Sequence, residues 1–253
     1  MISRCQSRQS FSCSRHAGAM HQPSSHSLLT TWEQGRRRHP LDRGLLLFAL
    51  AAPEIDREAL ADQPLGLRNA ALLRLRQALF GDGLSACVDC PVCGEKLEFS
   101  VSASQLLARN ESSRASIEVD GLSFRLPTTR DLARIASTDD RAGAAHQLLL
   151  SLLATDSEAD ELAAVDLTGK VGAALEEADP CLDFAMNLQC PACGHGWTSS
   201  FDVAGFLWDE VEVHARHMLD EVHVLARAYG WTEPEILALS ESRRAAYLER
   251  VLA

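Results

Sequence analysis

Cys90-Pro91-Val92-Cys93-Gly94 and Cys190-Pro191-Ala192-Cys193-Gly194 spell one pattern, C-P-x-C-G, twice. Each letter has a physical reason. Two thiolates separated by two residues can reach one tetrahedral metal from a single tight turn. Proline after the first cysteine presets φ for that turn, and glycine after the second supplies the left-handed conformation that curls the backbone beneath the metal. One knuckle is half a site. The pair therefore predicts a four-cysteine zinc ribbon with Cys90, Cys93, Cys190 and Cys193 as ligands.

The likeness extends past the cysteines. With the knuckles superposed, Leu97 falls on Trp197, Ser100 on Ser200, Val101 on Phe201 and Leu107 on Leu207. Each knuckle is thus expected to lead into a short strand and then an apolar helical segment. A thioredoxin-like redox pair usually has proline before its second cysteine, unlike either pentapeptide here. Disulfide use would suit a secreted chain, and residues 1–26 show no secretory apolar region. Cys87, three residues before Cys90, is a possible competing ligand; its simpler reading is a bystander thiol.

Composition sets the outer limits. The chain has 253 residues, 46% hydrophobic and 23% charged, which is ordinary for a globular protein with a real core. Its formal net charge of −11 is unevenly spread. Arg4, Arg8, Arg15, Arg36, Arg37, Arg38 and Arg43 face only Glu33 and Asp42 in residues 1–43, giving +5, so the remainder carries −16. An acidic body argues against general nucleic-acid binding, which needs a basic face. No run of apolar residues is long enough for a membrane span, and a reduced, cytoplasmic setting is expected.

The fold class that emerges is α+β and predominantly helical, with a zinc ribbon and a small β-hairpin flanked by helices at both ends. Residues 1–26, rich in Ser, Arg, His and Gln, read as a disordered tail, with Met20 as an alternative start and no role for Cys5 or Cys13. Residues 27–86 form an N-terminal helical segment. There Leu67, Ala71, Leu72, Leu75 and Leu79 make an inward stripe, Arg68, Arg74 and Arg76 lie off it, and Gly81 caps the end.

Residues 87–201 form the ribbon core with an inserted hairpin at Asp120-Gly121, a strong two-residue turn signal. Thr128 and Asp131 resemble a capping box, and helices follow over 142–154 and 168–178, separated by an acidic loop at 156–161. Leu182, Phe184, Met186 and Leu188 alternate as a strand into the second knuckle. Residues 202–253 are helical: a long helix from Val203 to Tyr229, a stop at Gly230, a capping box at Thr232 and Glu235, and a last helix after Ser240.

Catalytic patterns are missing. Glu210, His214, His217 and Glu221 share a helix face but lack the H-E-x-x-H spacing, so they read as a charge-paired surface. Neither a P-loop, a G-x-S-x-G elbow nor a G-x-G-x-x-G turn occurs. Four cysteines leave a metal no open position for substrate, so the zinc is expected to be structural and the protein not an enzyme. A zinc-ribbon reader of nucleic acid, or a regulatory protein, is the rival class; few exposed-looking aromatics support it.

Several blocks carry a resemblance. They are Leu65-Gly66-Leu67-Arg68 through Leu79-Phe80-Gly81, the two knuckles, Phe206-Leu207-Trp208-Asp209-Glu210, and the stretch from Glu221 to Ser240 with Arg243, Arg244, Tyr247 and Leu248. Together they resemble the T4-type bacteriophage baseplate hub assembly chaperones, as found in loci for phage-tail-like contractile injection particles. The most specific block runs from Tyr229 to Ser240. The resemblance implies a non-enzymatic, cytoplasmic factor that helps a baseplate hub or spike protein fold and assemble. Its client surface is expected in the C-terminal block, with Trp208, Trp231, Arg243 and Arg244 as anchors, since aromatic and arginine residues dominate interface energetics.

Overall fold

The computed structural model describes residues 23–108, 115–154 and 167–252. The N-terminal tail up to residue 22, with Cys5, Cys13 and Met20, and the acidic stretch 156–161 lie outside them. Helix α1 (Ser25–Gly35) already begins within the expected tail, because the Ser24 hydroxyl accepts the Ser27 N–H at 3.1 Å and caps it. Helix α2 (Pro40–Ala51), with proline in its first turn, follows, then a 3-10 turn (Leu60–Asp62) and helix α3 (Leu65–Phe80).

Among the described residues, three antiparallel two-stranded ribbons interrupt the helices. Strands β1 (Gly83–Asp89) and β2 (Lys96–Ser102) pair first and lead into helix α4 (Ala103–Leu107). Strands β3 (Ser116–Val119) and β4 (Leu122–Arg125) pair next, Val119 opposite Leu122. Their turn is the expected one: Asp120 and Gly121 both have positive φ, +52° and +86°, as a two-residue hairpin of this hand requires. Helices α5 (Thr129–Ile135), α6 (Arg141–Leu152) and α7 (Thr168–Ala178) come after, α5 opening on the Thr128–Asp131 capping box. Strands β5 (Ala185–Gln189) and β6 (Gly196–Ser200) form the third ribbon. Helix α8 (Val203–Tyr229) is the spine, ended by Gly230 at φ +72°, and α9 (Glu233–Leu237) and α10 (Glu241–Leu252) fold back along it.

Two apolar cores result among the described residues. The larger joins α1, α2, α3, α4 and α8 around Phe48, Leu72, Leu73, Leu207, Trp208 and Met218, and reaches into the bases of the ribbons at the buried Leu84, beside Phe184 and Phe201, and at the partly buried Ala86, Val101 and Met186. The smaller packs β3 and β4 against α6 and α7 through Phe124, Leu152 and Val171. Fully burying side chains of this size contributes roughly 1.5–3 kcal/mol each, which is why the helices hold these positions.

The α3 stripe needs correction. Leu67 is 42% exposed, and the outward strip is Leu67, Ala71 and Arg74, whereas Arg68 and Arg76 are buried. Helix α3 packs on α2, α4 and α8, and its first turn also meets the chain beside α5 and the end of α7. Its buried face is therefore wider than an apolar stripe suggests. At that close approach Gly66 donates its N–H to the buried Asp179 carboxylate at 3.0 Å. A Cβ on Gly66 would stand 1.8 Å from Asp179 Oδ1, so only glycine fits there.

Candidate metal centre

Ribbon pairing sets where the cysteines fall. Asp89 pairs with Lys96 as the last rung of the first ribbon, and Gln189 with Gly196 as the last rung of the third. Residues 90–95 and 190–195 are left to turn at the tips. Both turns are built alike: Cys90 N–H donates to Glu95 O at 2.8 Å and Gly94 N–H to Cys90 O at 2.9 Å. In the second, Cys190 N–H donates to His195 O at 2.8 Å and Gly194 N–H to Cys190 O at 2.9 Å. Gly94 and Gly194 have φ of +73° and +74° with open space where a Cβ would be. Backbone conformation rather than crowding demands glycine at both.

The two tips meet. Cys90 Sγ lies 3.7 Å from Cys193 Sγ, and Cys93 Sγ lies 3.6 Å from Cys190 Sγ. All four sulfurs lie within 4.8 Å of one another, so this group can hold a metal ion. Such separations far exceed the ~2.05 Å of a disulfide. Cys90 and Cys190 are buried, Cys93 and Cys193 exposed. Among the described residues no other His, Cys, Asp and Glu side chains converge in this way. Cys87 sits on β1 opposite Glu98, outside the group, and is exposed.

Backbone N–H groups aim at the sulfurs. Burial raises the Cys90 thiol, but N–H donors from Cys93 and Val92 outweigh it and bring it down to about 7. The Glu95 N–H lowers Cys93, yet hydrogen bonding with Cys190 and burial push that thiol up to about 12. His195 N–H lowers Cys193, and burial with the adjoining Cys190 and Cys90 thiols raises it overall. Four adjacent thiols compete for negative charge. A cation held by Cys90, Cys93, Cys190 and Cys193 would remove that competition and favour all four as thiolates.

The expected partner anchors are not brought together. Trp208 is 1% exposed: its ring packs on Gly35, where a Cβ would meet it at 2.3 Å, and Arg43 lies over it at 5.1 Å. Arg244 is buried and bonds Glu221 at 2.8 Å and Leu239 O at 2.8 Å. Both therefore staple the helices instead of facing a partner. Arg243 is exposed and Trp231 half-buried.

Trp231 joins Tyr229 and Tyr247 in one aromatic group. It stacks on Tyr229 at 4.7 Å between ring centroids and meets Tyr247 edge-on at 4.9 Å, with Tyr229 39% exposed. Strand β1 was missed in the sequence; the alternation of Leu84, Ala86 and Val88 before the first knuckle is the signal that marks it. Of the helix-face quartet, Glu210 pairs with Arg76 and Glu221 with Arg244, while His214 packs edge-on against Phe80.

No protein-family model matches the chain, and no curated protein and no solved structure does either. No helix among the described residues is long and apolar enough to cross a membrane.

Proposed function

We propose that this protein is a non-enzymatic assembly factor for the baseplate hub or spike of a phage tail or contractile injection particle, acting in the reduced cytoplasm. It is built on one structural zinc held by Cys90, Cys93, Cys190 and Cys193. Zinc suits the donor set. A tetrahedron with Zn–S bonds of ~2.3 Å has edges of about 3.8 Å, close to the 3.6 and 3.7 Å sulfur separations across the two tips. Four protein thiolates fill the coordination sphere, so the metal's contribution is to clamp the ribbons.

The observation that carries the client reading is the aromatic corner of Tyr229, Trp231 and Tyr247. Two of its rings, Tyr229 and Trp231, fall within the block most specific to the hub-chaperone resemblance, and the corner is partly open to solvent, with the exposed Arg243 one helical turn before Tyr247. Rigid aromatics next to an arginine are typical interface anchors. The working surface is thus Tyr229, Trp231 and Arg243, with Trp208 and Arg244 serving the scaffold.

Co-expression tests this reading. The hub or spike protein of the same particle should be recovered soluble and bound with the wild-type chain. A Tyr229→Ser/Arg243→Glu double variant, still metal-loaded, should not capture it. Equal capture by the double variant moves the surface elsewhere. Salt-sensitive binding of random DNA or RNA by residues 28–253, without capture of any hub or spike protein, favours the nucleic-acid reader instead.

A further inference from the structure

A cleft of about 340 Å³ opens between the two cores, near the low end of ligand-pocket sizes. Its walls are apolar: Leu65, Leu132, Leu148, Leu175 and Phe201 are among them. Arg68 and Asn69, both buried, line it as well. Arg68 is anomalous. Only 7% of it is exposed, and its guanidinium bonds just two neutral groups, Thr129 Oγ1 at 3.2 Å and Asn69 Oδ1 at 3.1 and 3.3 Å. The Asn69 amide is itself spent on Cys181 O and Leu182 O, which fixes its oxygen toward the arginine. The guanidinium's remaining N–H groups have no acceptor among the described residues.

The other buried arginines show the contrast. Arg76 and Arg244 each hold a carboxylate directly, at 2.7 and 2.8 Å. Arg68 feels Asp202 only through space, and burial lowers its pKa, a sign that its charge is poorly compensated. A buried charge without a directly bonded counterion is costly. Asp202 compensates Arg68 only at a distance, which leaves its free N–H groups beside the apolar cleft able to take an anion from outside the chain.

We propose that this cleft binds a monocarboxylate with an apolar body, its carboxylate on Arg68 and its apolar part against Leu132, Leu148 and Leu175. The cleft's exposed rim argues for a single charge. Asp183 and Asp202 line it and are exposed, their carboxylates engaged with the Ser200 hydroxyl and the Ala204 N–H. A doubly charged anion such as phosphate would be repelled there, whereas a monoanion seated on the buried guanidinium gains attraction that water does not screen. Two sources offer this chemistry: a free medium-chain carboxylate, or the C-terminal carboxylate of a peptide ending in an apolar residue. The site is independent of the metal centre and of the aromatic corner.

Calorimetric titration and thermal shift on the full zinc-loaded chain test it, with octanoate, a peptide ending in Leu-Leu carboxylate, the same peptide as its C-terminal amide, and inorganic phosphate. Octanoate, the free-acid peptide, or both should bind and raise the melting temperature; the amide and phosphate should bind at least tenfold more weakly. Which of the two carboxylates binds tighter identifies the source. Arg68→Met should weaken carboxylate binding about tenfold to a hundredfold, the scale of a lost charge-assisted hydrogen bond. Leu132→Trp, which fills the cleft with Arg68 intact, should weaken it too and stands in if Arg68→Met does not fold. Equal affinity for acid and amide, or no binding of either carboxylate at millimolar concentration, overturns the proposal.

Discussion

Removing the metal should open the ribbons without dissolving the cores. The perturbation is Cys190→Ser, or chelation of the wild-type chain. Little else holds the ribbon tips: β5 and β6 have no fully buried residue, and β1 buries only Leu84. A metal held by the four cysteines would join Cys93 to Cys190 across 97 positions. Closing a loop of that length removes unfolded-state entropy worth about 4.7 kcal/mol. Against a typical domain stability of ~5–15 kcal/mol, that is a large share. At ~2–4 °C per kcal/mol for a chain of this size, the melting temperature should fall by about 10–20 °C.

Metal analysis of reduced, unchelated protein should give close to one zinc per chain, lost in Cys190→Ser. Hydrogen exchange followed by mass spectrometry should then show faster exchange over residues 85–100 and 185–200, with α2 and the middle of α8 still protected. Unchanged exchange at the tips in metal-free protein would falsify the clamp. Absence of metal from wild-type protein purified without chelator would remove it altogether.

Other perturbations probe single contacts. Gly66→Ala should destabilise by about 2–4 kcal/mol in urea unfolding, since its Cβ would collide with Asp179 Oδ1, and Asp179→Ser should recover part of the loss. Gly94→Ala should cost on the order of 1 kcal/mol and weaken metal affinity in a competition titration, because alanine resists a φ of +73°. Burial raises the Asp131 carboxyl, but hydrogen bonds from Arg125 and Thr128 outweigh it and hold it at about 2, below its ordinary 3.8. A carboxylate depressed on folding stabilises fully above its unfolded pKa, and that contribution drains away as pH falls through the folded value. Asp131→Asn should therefore be about 2 kcal/mol less stable than wild type at pH 7, and the gap should close between pH 4 and pH 2 in urea titrations.

What was legible in the sequence was local. The knuckles, the Asp120-Gly121 turn, both capping boxes and the Gly230 stop are each set by a few adjacent residues, and each stands where its chemistry puts it. The sulfur cluster was readable because two identical half-sites imply each other. The fate of arginines and tryptophans was not. Whether Arg68, Arg76, Arg244 or Trp208 faces water depends on partners at Thr129, Glu210, Glu221 and Gly35, which lie elsewhere in the chain. An apolar stripe records one covered face. Helix α3 is covered on more than one side, so its stripe understates its burial.

Those same distant pairings explain how half-sites so far apart in sequence meet. The first ribbon leaves the end of α3, and the third ribbon runs directly into the start of α8. Helices α3 and α8 pack together, and Arg76 fixes their offset with a two-pronged grip on Glu210, Nε to Oε2 at 2.9 Å and Nη2 to Oε1 at 2.7 Å. Its third contact, Nη1 to Gly81 O at 2.7 Å, holds the residue from which the chain turns into β1. A planar guanidinium specifies this geometry where a lysine could not. The ion pair at the base and the four-cysteine group at the tips therefore close one frame from opposite ends. Three helical turns further along the same spine, Arg244 bonds Glu221 by a single prong and Leu239 O by another, on the helix that sets Tyr247 against Tyr229 and Trp231. Helix α8 thus carries a cysteine-tipped ribbon at one end and the aromatic corner at the other, and buried arginines set the position of both.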